Sequence, residues 1–455
     1  DYWVDEEAAK IVAEEEVQAV YDVENRGLPF SRTEEGKIAQ RRFGGHTHHF
    51  GKGPVHRSCY AADRTGNMIL QTLYQQCVKN DVQFFNEYQV VDVIMDGTTI
   101  QGVVTFDLAS GEINIFKSKA VLFATGGFGR MFKITSNSLS NTGDGPAILA
   151  RAGIPMEDME FFQFHPTGIL NMGILITEGV RGEGGILKNR EGERFMERYA
   201  PTMLDLAPRD MVSRAIMTEI AEGRGIRGDR KIDDYVMLDA SVLGREKVEE
   251  RLPDIADFCK TYLDVDPAEN PMPVQPTAHY AMGGIPTDID GRVTTGKQLY
   301  DGLYAAGECA CVSVHGANRL GTNSLVDLIV YGRRAGRHIA DYVESAKAPT
   351  IPSGADEGAR KMIDGLKNRT QGHNPGPLYK KMQESMMSKV GVYRKQGDMD
   401  AAVEDIQALR EEIKEVAVET NAENFNAEVL QILELENLLA LSLITAASAA
   451  NRTES

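Results

Sequence analysis

The chain has 455 residues, of which 42% are hydrophobic and 25% are charged, and its formal net charge is −18. This length is enough for two or three domains with a substantial core. The acidic balance, with no basic segment to offset it, excludes a nucleic-acid-binding surface, so an anionic ligand has to be attracted by local arginines. Five irregularly spaced cysteines favour a reduced compartment over a disulfide framework.

In chain order, residues 1–25 are predicted to form a helix, and a second helical period runs through 67–80. Between them, residues 41–66 alternate glycine and histidine without a period and are predicted to be a loop. Alternating or β-branched runs over 82–123 predict strands joined by hairpin turns. The last strand ends in a glycine turn, and "GDGPAILARAG" then predicts a short helix.

Charged loops and helices follow over 156–274, and an apolar strand returns at "GLYAAGE". A helix is predicted over 324–343, and a proline-bearing linker leads to a mostly helical end. No stretch is judged long and apolar enough to span a bilayer; the nearest, residues 438–450, is rich in Ser, Thr and Ala. The pattern predicts an α/β fold in which a middle domain interrupts a discontinuous α/β domain. The predicted divisions are 1–157 continued by 277–346, an inserted α+β domain at 158–276, and a C-terminal helical domain at 347–455.

Four segments each place a His, Thr or Arg among glycine, proline and apolar neighbours, as in polar groups that converge in a closed pocket. They are "QFHPTG", "ILITEGVRGEGG", "PTAHYAMGG" and "HGANRLG". Taken singly, each has a plain structural interpretation, such as a satisfied core histidine or a charged loop. Two histidines, a threonine and two arginines together suit a small dicarboxylate, because each guanidinium offers a planar pair of donors to a carboxylate.

The histidines at 46, 48, 49 and 56 raise the alternative of a metal site. Their spacing matches no standard structural or catalytic pattern, and no carboxylate lies close in sequence. We favour a ligand-lining or solvent-facing loop, and no metal is predicted.

Eight collinear motifs resemble the flavoprotein subunit of succinate dehydrogenase and fumarate reductase, and they extend over essentially the whole chain. They are "FGGHTHHFGK", "QFHPTG", "LITEGVRGEGG", "GERFMERYAP", "RDMVSR", "HYAMGGIPT", "GLYAAGECA" and "VHGANRLGTNSL". The resemblance implies a discontinuous FAD-binding Rossmann-like domain, an inserted capping domain, and succinate oxidation to fumarate by hydride transfer to FAD. It also implies an iron–sulfur subunit and membrane-anchor subunits that carry electrons to quinone. Through these partners the chain is expected on the cytoplasmic face of the inner membrane.

The same resemblance assigns a role to individual residues. The proton exchanged with substrate is assigned to Arg209, and the relay to solvent to Glu178 and Arg181. Substrate binding is assigned to His165, Thr177, His279, Arg319 and Phe43. FAD contacts are assigned to Asp144, Glu308, Ser324, Leu325, Gly126 and Gly127.

Two features depart from the family pattern. The family has Gln-Ser after "FGG", whereas this chain has His46 and Thr47. The G-x-G-x-x-G fingerprint and the histidine that carries FAD covalently are not in this sequence, so both ends are expected to be cut and FAD binding is expected to be weak or absent. The motifs leave open the physiological direction and the quinone. L-Aspartate oxidase is the alternative within the fold, but it carries an acidic residue where Phe43 stands, so Phe43 favours a substrate without an ammonium group.

Overall fold

The computed structural model describes residues 3–49, 52–420 and 422–453, in which helices and strands alternate. The helices are α1 (Glu6–Asn25), α2 (Thr65–Lys79), α3 (Asp144–Arg151), α4 (Gly179–Gly182), α5 (Met196–Tyr199), α6 (Arg209–Ala221), α7 (Arg245–Arg251), α8 (Pro253–Leu263), α9 (Asn323–Ser345), α10 (Glu357–Lys367), α11 (Pro375–Lys389), α12 (Gln396–Glu412) and α13 (Ala427–Asn451). The strands are β1 (Gln40–His48), β2 (Gly53–Cys59), β3 (Tyr88–Asp96), β4 (Thr99–Asp107), β5 (Ile113–Lys117), β6 (Val121–Phe123), β7 (Phe162–Ile169), β8 (Ile186–Lys188), β9 (Val236–Asp239), β10 (Met272–Ala281), β11 (Ile285–Pro286), β12 (Arg292–Thr294), β13 (Leu299–Ala305) and β14 (Ala310–Cys311).

Helix α1 ends at Asn25 as predicted but begins at Glu6 rather than at residue 1, and it packs along α9. The Asp5 carboxylate caps it by accepting from the Ala8 amide at 2.8 Å. From α9, Arg333 pairs with Glu15 and with Asp22, each at 2.6 Å. The two helices are distant in sequence and are held together by both apolar packing and ion pairs.

A mixed sheet has the strand order β12-β13-β4-β3, with β5 hydrogen-bonded to β4 and β6 to β13. Strands β3, β4 and β5 are antiparallel neighbours joined by turns at Gly97 and Gly111, which confirms the predicted hairpins. Strands β6 and β13 are parallel, so the chain leaves both at the same edge of the sheet. This arrangement brings the glycine turn after β6 beside Glu308, which follows β13.

A second, antiparallel sheet has the order β7-β10-β9-β8 and packs over its own apolar core. It provides the strands of the inserted α+β domain predicted at 158–276. The predicted boundary after residue 276 falls inside β10, which continues to Ala281. One unbroken strand therefore leads from this sheet to His279, while the exact division into domains stays a prediction.

Strands β1 and β2 form an antiparallel hairpin where the sequence predicts a loop over 41–66. That prediction is wrong for both strands. The register is irregular between Arg42 and Thr47, and Arg41 and His46 are both buried, so no simple alternation of polar and apolar residues marks the strands. Phe50 and Gly51, between the strands, lie outside the described residues.

Helices α10 to α13 confirm the helical C-terminal section and share one apolar core, which includes Ile363, Met382, Ile406 and Leu438. By length and composition α13 could cross a membrane, so the expectation that no stretch qualifies is wrong. However, 61% of its apolar window is buried inside the protein, where it packs against α11 and α12. Helix α13 is the central helix of this bundle.

Glu434 on α13 gives this bundle a pH-dependent stability. Burial, and then Asp144, raises its pKa to about 7. The folded pKa exceeds the unfolded value of about 4.3, so the stability present below that value is lost as the pH rises through the folded pKa. We expect Glu434→Gln to raise the free energy of unfolding by about 2 kcal/mol more at pH 8 than at pH 5, measured by urea unfolding.

The matched control is Glu404→Gln, which removes an exposed carboxylate from α12. Its effect should be small and the same at both pH values. If Glu434→Gln raised the free energy of unfolding equally at pH 5 and pH 8, the raised pKa of Glu434 would be contradicted.

Candidate active site

A cavity of about 240 Å³ lies where six parts of the chain meet. Five of these parts are β1, the turn before α4, the start of α6, β10 and the start of α9, and a sixth runs from the end of β2 to the start of α2. Eight of the predicted site residues line the cavity: Phe43, Thr177, Glu178, Arg209, His279, Arg319, Ser324 and Leu325. Residues up to 282 positions apart in sequence are thus gathered around one space, as the resemblance implies.

Glu178 lies between two guanidinium groups at the cavity wall. Arg209 Nε donates to Glu178 Oε2 at 2.8 Å, and Arg181 Nη2 lies 3.5 Å from Oε1. Oε1 also accepts from the Gly44 amide at 2.7 Å. All three charged side chains are buried, and Arg181 lies behind Glu178 and does not line the cavity. The predicted relay residues are therefore in contact in the order Arg209, Glu178, Arg181.

The two arginines keep Glu178 ionised. Burial alone would raise the pKa of Glu178, but the neighbouring Arg209 and Arg181 outweigh it and hold the pKa below its usual value. Burial lowers the pKa of Arg181, and Glu178 opposes that shift. A buried carboxylate between two such donors can receive a proton from one side and pass it to the other.

Arg209 and Arg319 converge on one neutral oxygen. Gln163 Oε1 accepts from Arg209 Nη1 at 3.0 Å and from Arg319 Nη2 at 3.2 Å. Arg319 is 3% exposed, and its Nε has no hydrogen-bond partner in the part of the chain that the structure describes. Two buried cations that share one amide oxygen are arranged to receive a carboxylate. Sequence reasoning missed Gln163, although its position two residues before His165 places it on the same strand face.

The aromatic ring of Tyr280 packs against the guanidinium group of Arg319. The Arg319 Cζ atom lies 4.2 Å from the centre of the Tyr280 ring. The Tyr280 hydroxyl donates to Asp327 Oδ2 at 3.4 Å and lies 3.3 Å from His315 Nε2. Burial, with Arg209 second, lowers the pKa of Arg319 to about 10. The face of the Tyr280 ring therefore orients the Arg319 guanidinium, which has no ion pair with a carboxylate among the described residues.

Replacing Tyr280 with Leu is expected to raise KM for the dicarboxylate by about 3- to 30-fold and to change kcat less, because Arg319 loses its platform. Tyr280→Phe keeps the ring and removes the hydroxyl, so KM should stay within about twofold of the original. Steady-state kinetics with succinate measure both variants. Equal increases in KM would show that the hydroxyl contacts, and not the ring, orient Arg319.

The two predicted substrate histidines stand together. Their ring centres are 5.2 Å apart at 65°, and the His279 Nδ1 atom lies 2.7 Å from Ser136 Oγ. His165 Nδ1 accepts from the Thr167 amide at 3.2 Å, so its neutral ring carries the proton on Nε2. Burial, followed by the charge of Arg209, lowers the pKa of both histidines well below its usual value. His165 lies behind the cavity lining, and both rings are neutral.

The remaining predicted cofactor residues meet at the edge of the mixed sheet. A Cβ atom on Gly127 would lie 2.4 Å from Glu308 Oε1, and Gly126 adopts φ 70°. Burial raises the pKa of Glu308 to about 7, while its Oε1 accepts from the Ala281 amide at 3.2 Å. Asp144 opens α3 nearby. A glycine turn for close backbone approach and carboxyl groups for ribose or ribityl hydroxyls fit FAD.

The histidine-rich hairpin does not gather a metal site. His46 is 2% exposed, and its Nδ1 accepts from Arg57 Nε at 3.1 Å. Burial, and then Arg57, lowers the pKa of His46 to about 4. The rings of His48 and His49 stack edge-on with centres 5.1 Å apart. Among the described residues, no group of three or more His, Cys, Asp or Glu side chains could hold a metal ion.

Comparison with known proteins identifies the family of the chain. A family model described as an FAD binding domain matches residues 1–325, and one described as the fumarate reductase flavoprotein C-terminal region matches residues 379–455. The succinate dehydrogenase flavoprotein subunit of Coxiella burnetii is 44% identical over 100% of this chain and 78% of its own length. The Rickettsia bellii subunit is 46% identical over 100% of this chain and 77% of its own. The chain belongs to the succinate dehydrogenase and fumarate reductase flavoprotein family.

The family's solved structures share the fold. A variant of E. coli quinol fumarate reductase, 35% identical, superposes with a TM-score of 0.91 over 100% of this chain and 78% of its own. The predicted α/β FAD-binding fold with a helical C-terminal region is thereby confirmed. As a member of this flavoprotein family the chain is an FAD-dependent oxidoreductase. The roles of single residues in its site stay predictions.

Proposed function

We propose that the chain is the flavoprotein subunit of a succinate dehydrogenase, which oxidises succinate to fumarate. The observation that carries the proposal is the convergence of two buried arginines, Arg209 and Arg319, on a single acceptor beside the cavity. A substrate carboxylate would neutralise Arg319, whose Nε has no hydrogen-bond partner among the described residues, while Arg209 is already paired with Glu178 and lies beside it for proton exchange. Ser324 and Leu325 line the same cavity, which brings the predicted FAD contacts and substrate contacts together.

In this proposal the substrate carboxylates are held by Arg319, His279 and Thr177. Arg319 supplies the charge, and the neutral imidazole and hydroxyl add hydrogen-bond donors. Phe43 closes the cavity with an apolar face. The buried walls of the cavity lower the local dielectric constant, which strengthens the electrostatic contacts within it.

Oxidation removes one hydride and one proton from adjacent carbons of succinate. FAD, when bound, supplies the acceptor for the hydride. Arg209 takes the proton while it passes its own to Glu178, 2.8 Å away, and Arg181 continues the relay. In the reverse reaction Arg209 donates the proton to fumarate. The short contacts make an arginine workable, although an isolated guanidinium holds its proton near neutrality.

The second candidate is fumarate reduction, favoured by the close superposition with E. coli quinol fumarate reductase. The same residues serve both directions, which differ mainly in the redox partner. The proposal includes an iron–sulfur subunit and membrane-anchor subunits that hold the chain at the cytoplasmic face of the inner membrane. Support comes from the relatives, which are named as subunits of succinate dehydrogenase.

An assay with succinate, fumarate and aspartate and a dye as electron acceptor or donor tests the proposal. Turnover of succinate, and of fumarate with reduced dye, is expected when FAD is added in large excess, which offsets the weak FAD binding expected from the sequence. A reaction without FAD is the control. Turnover of aspartate without turnover of succinate would contradict the proposal and favour the L-aspartate oxidase alternative.

A further inference from the structure

The C-terminal helix α13 packs directly on the turn at residues 142–145, which carries Asp144. A Cβ atom on Gly143 would lie 2.3 Å from Leu441 Cδ1, so the Leu441 side chain packs directly against the backbone of the turn. Helix α13 lies beyond residues 1–325, which the FAD-binding family model matches. A segment outside that match therefore forms one wall of a predicted cofactor position.

Asn437 is the residue of α13 that reaches Asp144. Its Nδ2 donates to Asp144 Oδ1 at 2.7 Å, and Thr142 Oγ1 donates to the same oxygen at 3.1 Å. Both side-chain hydrogen bonds that the described chain makes to this carboxylate end on Oδ1. The Oδ2 atom of Asp144 accepts no hydrogen bond from the described residues.

The amide of Asn437 is itself fixed in one orientation. Arg151 Nη1 donates to Asn437 Oδ1 at 2.6 Å, so the amide oxygen must face Arg151 and the NH₂ group must face Asp144. Asp144 and Arg151 are the first and last residues of α3, two turns apart on one face. Asn437 thus ties both ends of α3 to α13.

Packing alone does not account for an amide at this place. Asn437 is 4% exposed on a helix whose buried face is otherwise mostly aliphatic, and a buried amide is costly unless it is hydrogen-bonded. Glu434, one turn earlier, is close enough for Asp144 to raise its pKa. Asn437 and Glu434 of α13 therefore both interact with the Asp144 carboxylate.

Resting on the proposed function, we propose that Asn437 is a positioning residue of the FAD site. It holds Asp144 through Oδ1, and it thereby keeps Oδ2 available to FAD hydroxyl groups. The C-terminal helical bundle and the cofactor site are coupled through this one side chain.

The test measures the FAD dissociation constant by quenching of flavin fluorescence, together with the unfolding temperature without FAD. Asn437→Asp keeps the side-chain shape and the contact with Arg151 but sets a second carboxylate against Asp144. We expect FAD binding to weaken about tenfold or more, and the unfolding temperature without FAD shows that the variant is folded. The control is Gln431→Leu, an exposed substitution on the same helix, which should change neither quantity.

Unchanged FAD affinity in Asn437→Asp would overturn the inference. If variants at position 437 do not fold, Arg151→Met compared with Arg151→Lys decides, because both replace the guanidinium donor that fixes the amide and only Lys keeps the positive charge near Asp144; unchanged affinity in both overturns the inference as well. A further variant, Asp144→Ala, separates the cofactor role assigned to Asp144 from the positioning role proposed for Asn437. If Asp144→Ala binds FAD as tightly as the unchanged chain, the assigned cofactor role of Asp144 fails; if it weakens binding and Asn437→Asp does not, only the present inference fails.

Discussion

Arg209→Ala is expected to lower kcat by about 10³-fold while dicarboxylate binding stays within about threefold. Arg319, His279 and Thr177 remain to hold the carboxylates, so the loss falls on proton exchange. Dye-linked turnover at saturating succinate measures kcat, and calorimetric titration with fumarate measures binding. The effect should be seen in both reaction directions, because the same proton is exchanged in each.

The matched control is Arg214→Ala, which removes an exposed arginine of the same helix that pairs with Asp210 at 2.6 Å. It should leave kcat and binding close to those of the unchanged chain, since exposed ion pairs contribute little. Loss of binding with turnover preserved at saturation would contradict the role proposed for Arg209.

Glu178→Ala is expected to lower the free energy of unfolding by about 3–5 kcal/mol, because it leaves two buried guanidinium groups without their carboxylate. The Gly44 amide also loses its acceptor. The native pKa of Glu178 is lowered, so its stabilisation is present above the unfolded pKa and is lost as the pH falls through the folded one. The difference in free energy of unfolding between the unchanged chain and Glu178→Ala should therefore become smaller at acidic pH. Urea unfolding at several pH values measures this difference.

Glu222→Ala is the control, since Glu222 pairs with Arg224 at the surface end of α6 and its side chain is 54% exposed. It should cost less than about 1 kcal/mol. An equally small cost for Glu178→Ala would show that the buried arginines are satisfied without the carboxylate.

Much of the fold follows from local patterns in the sequence. Helices α1, α2 and α9 and strands β3 to β6 appear where hydrophobic periodicity predicts them, because each presents one face to a core. The β1–β2 hairpin cannot be recognised from such patterns. Arg41 and His46 are polar but buried, and the pairing register is irregular, so the strands lack the alternation of polar and apolar residues by which a strand is predicted. Helix α13 was underestimated because Glu434, Glu436 and Asn437 interrupt its apolar run.

The candidate site shows a different limit. Its residues could be named from short motifs, but the contacts among them depend on tertiary structure. Gln163 joins Arg209 to Arg319, and Asn437 reaches Asp144 across 293 positions of sequence. No local pattern carries such pairings, which arise only once separate elements pack together.

Strand β10 crosses the predicted domain boundary without a break, and this has a mechanical consequence. His279 and Tyr280 are joined to the inserted sheet by peptide bonds, whereas Arg319 belongs to the loop before α9. The same end of β10 is also held outside the inserted sheet, because His279 contacts Ser136 and the Tyr280 hydroxyl donates to Asp327 of α9. The strand therefore links the inserted sheet to the platform under Arg319, so a displacement of that sheet would be resisted by the groups that hold the carboxylate site.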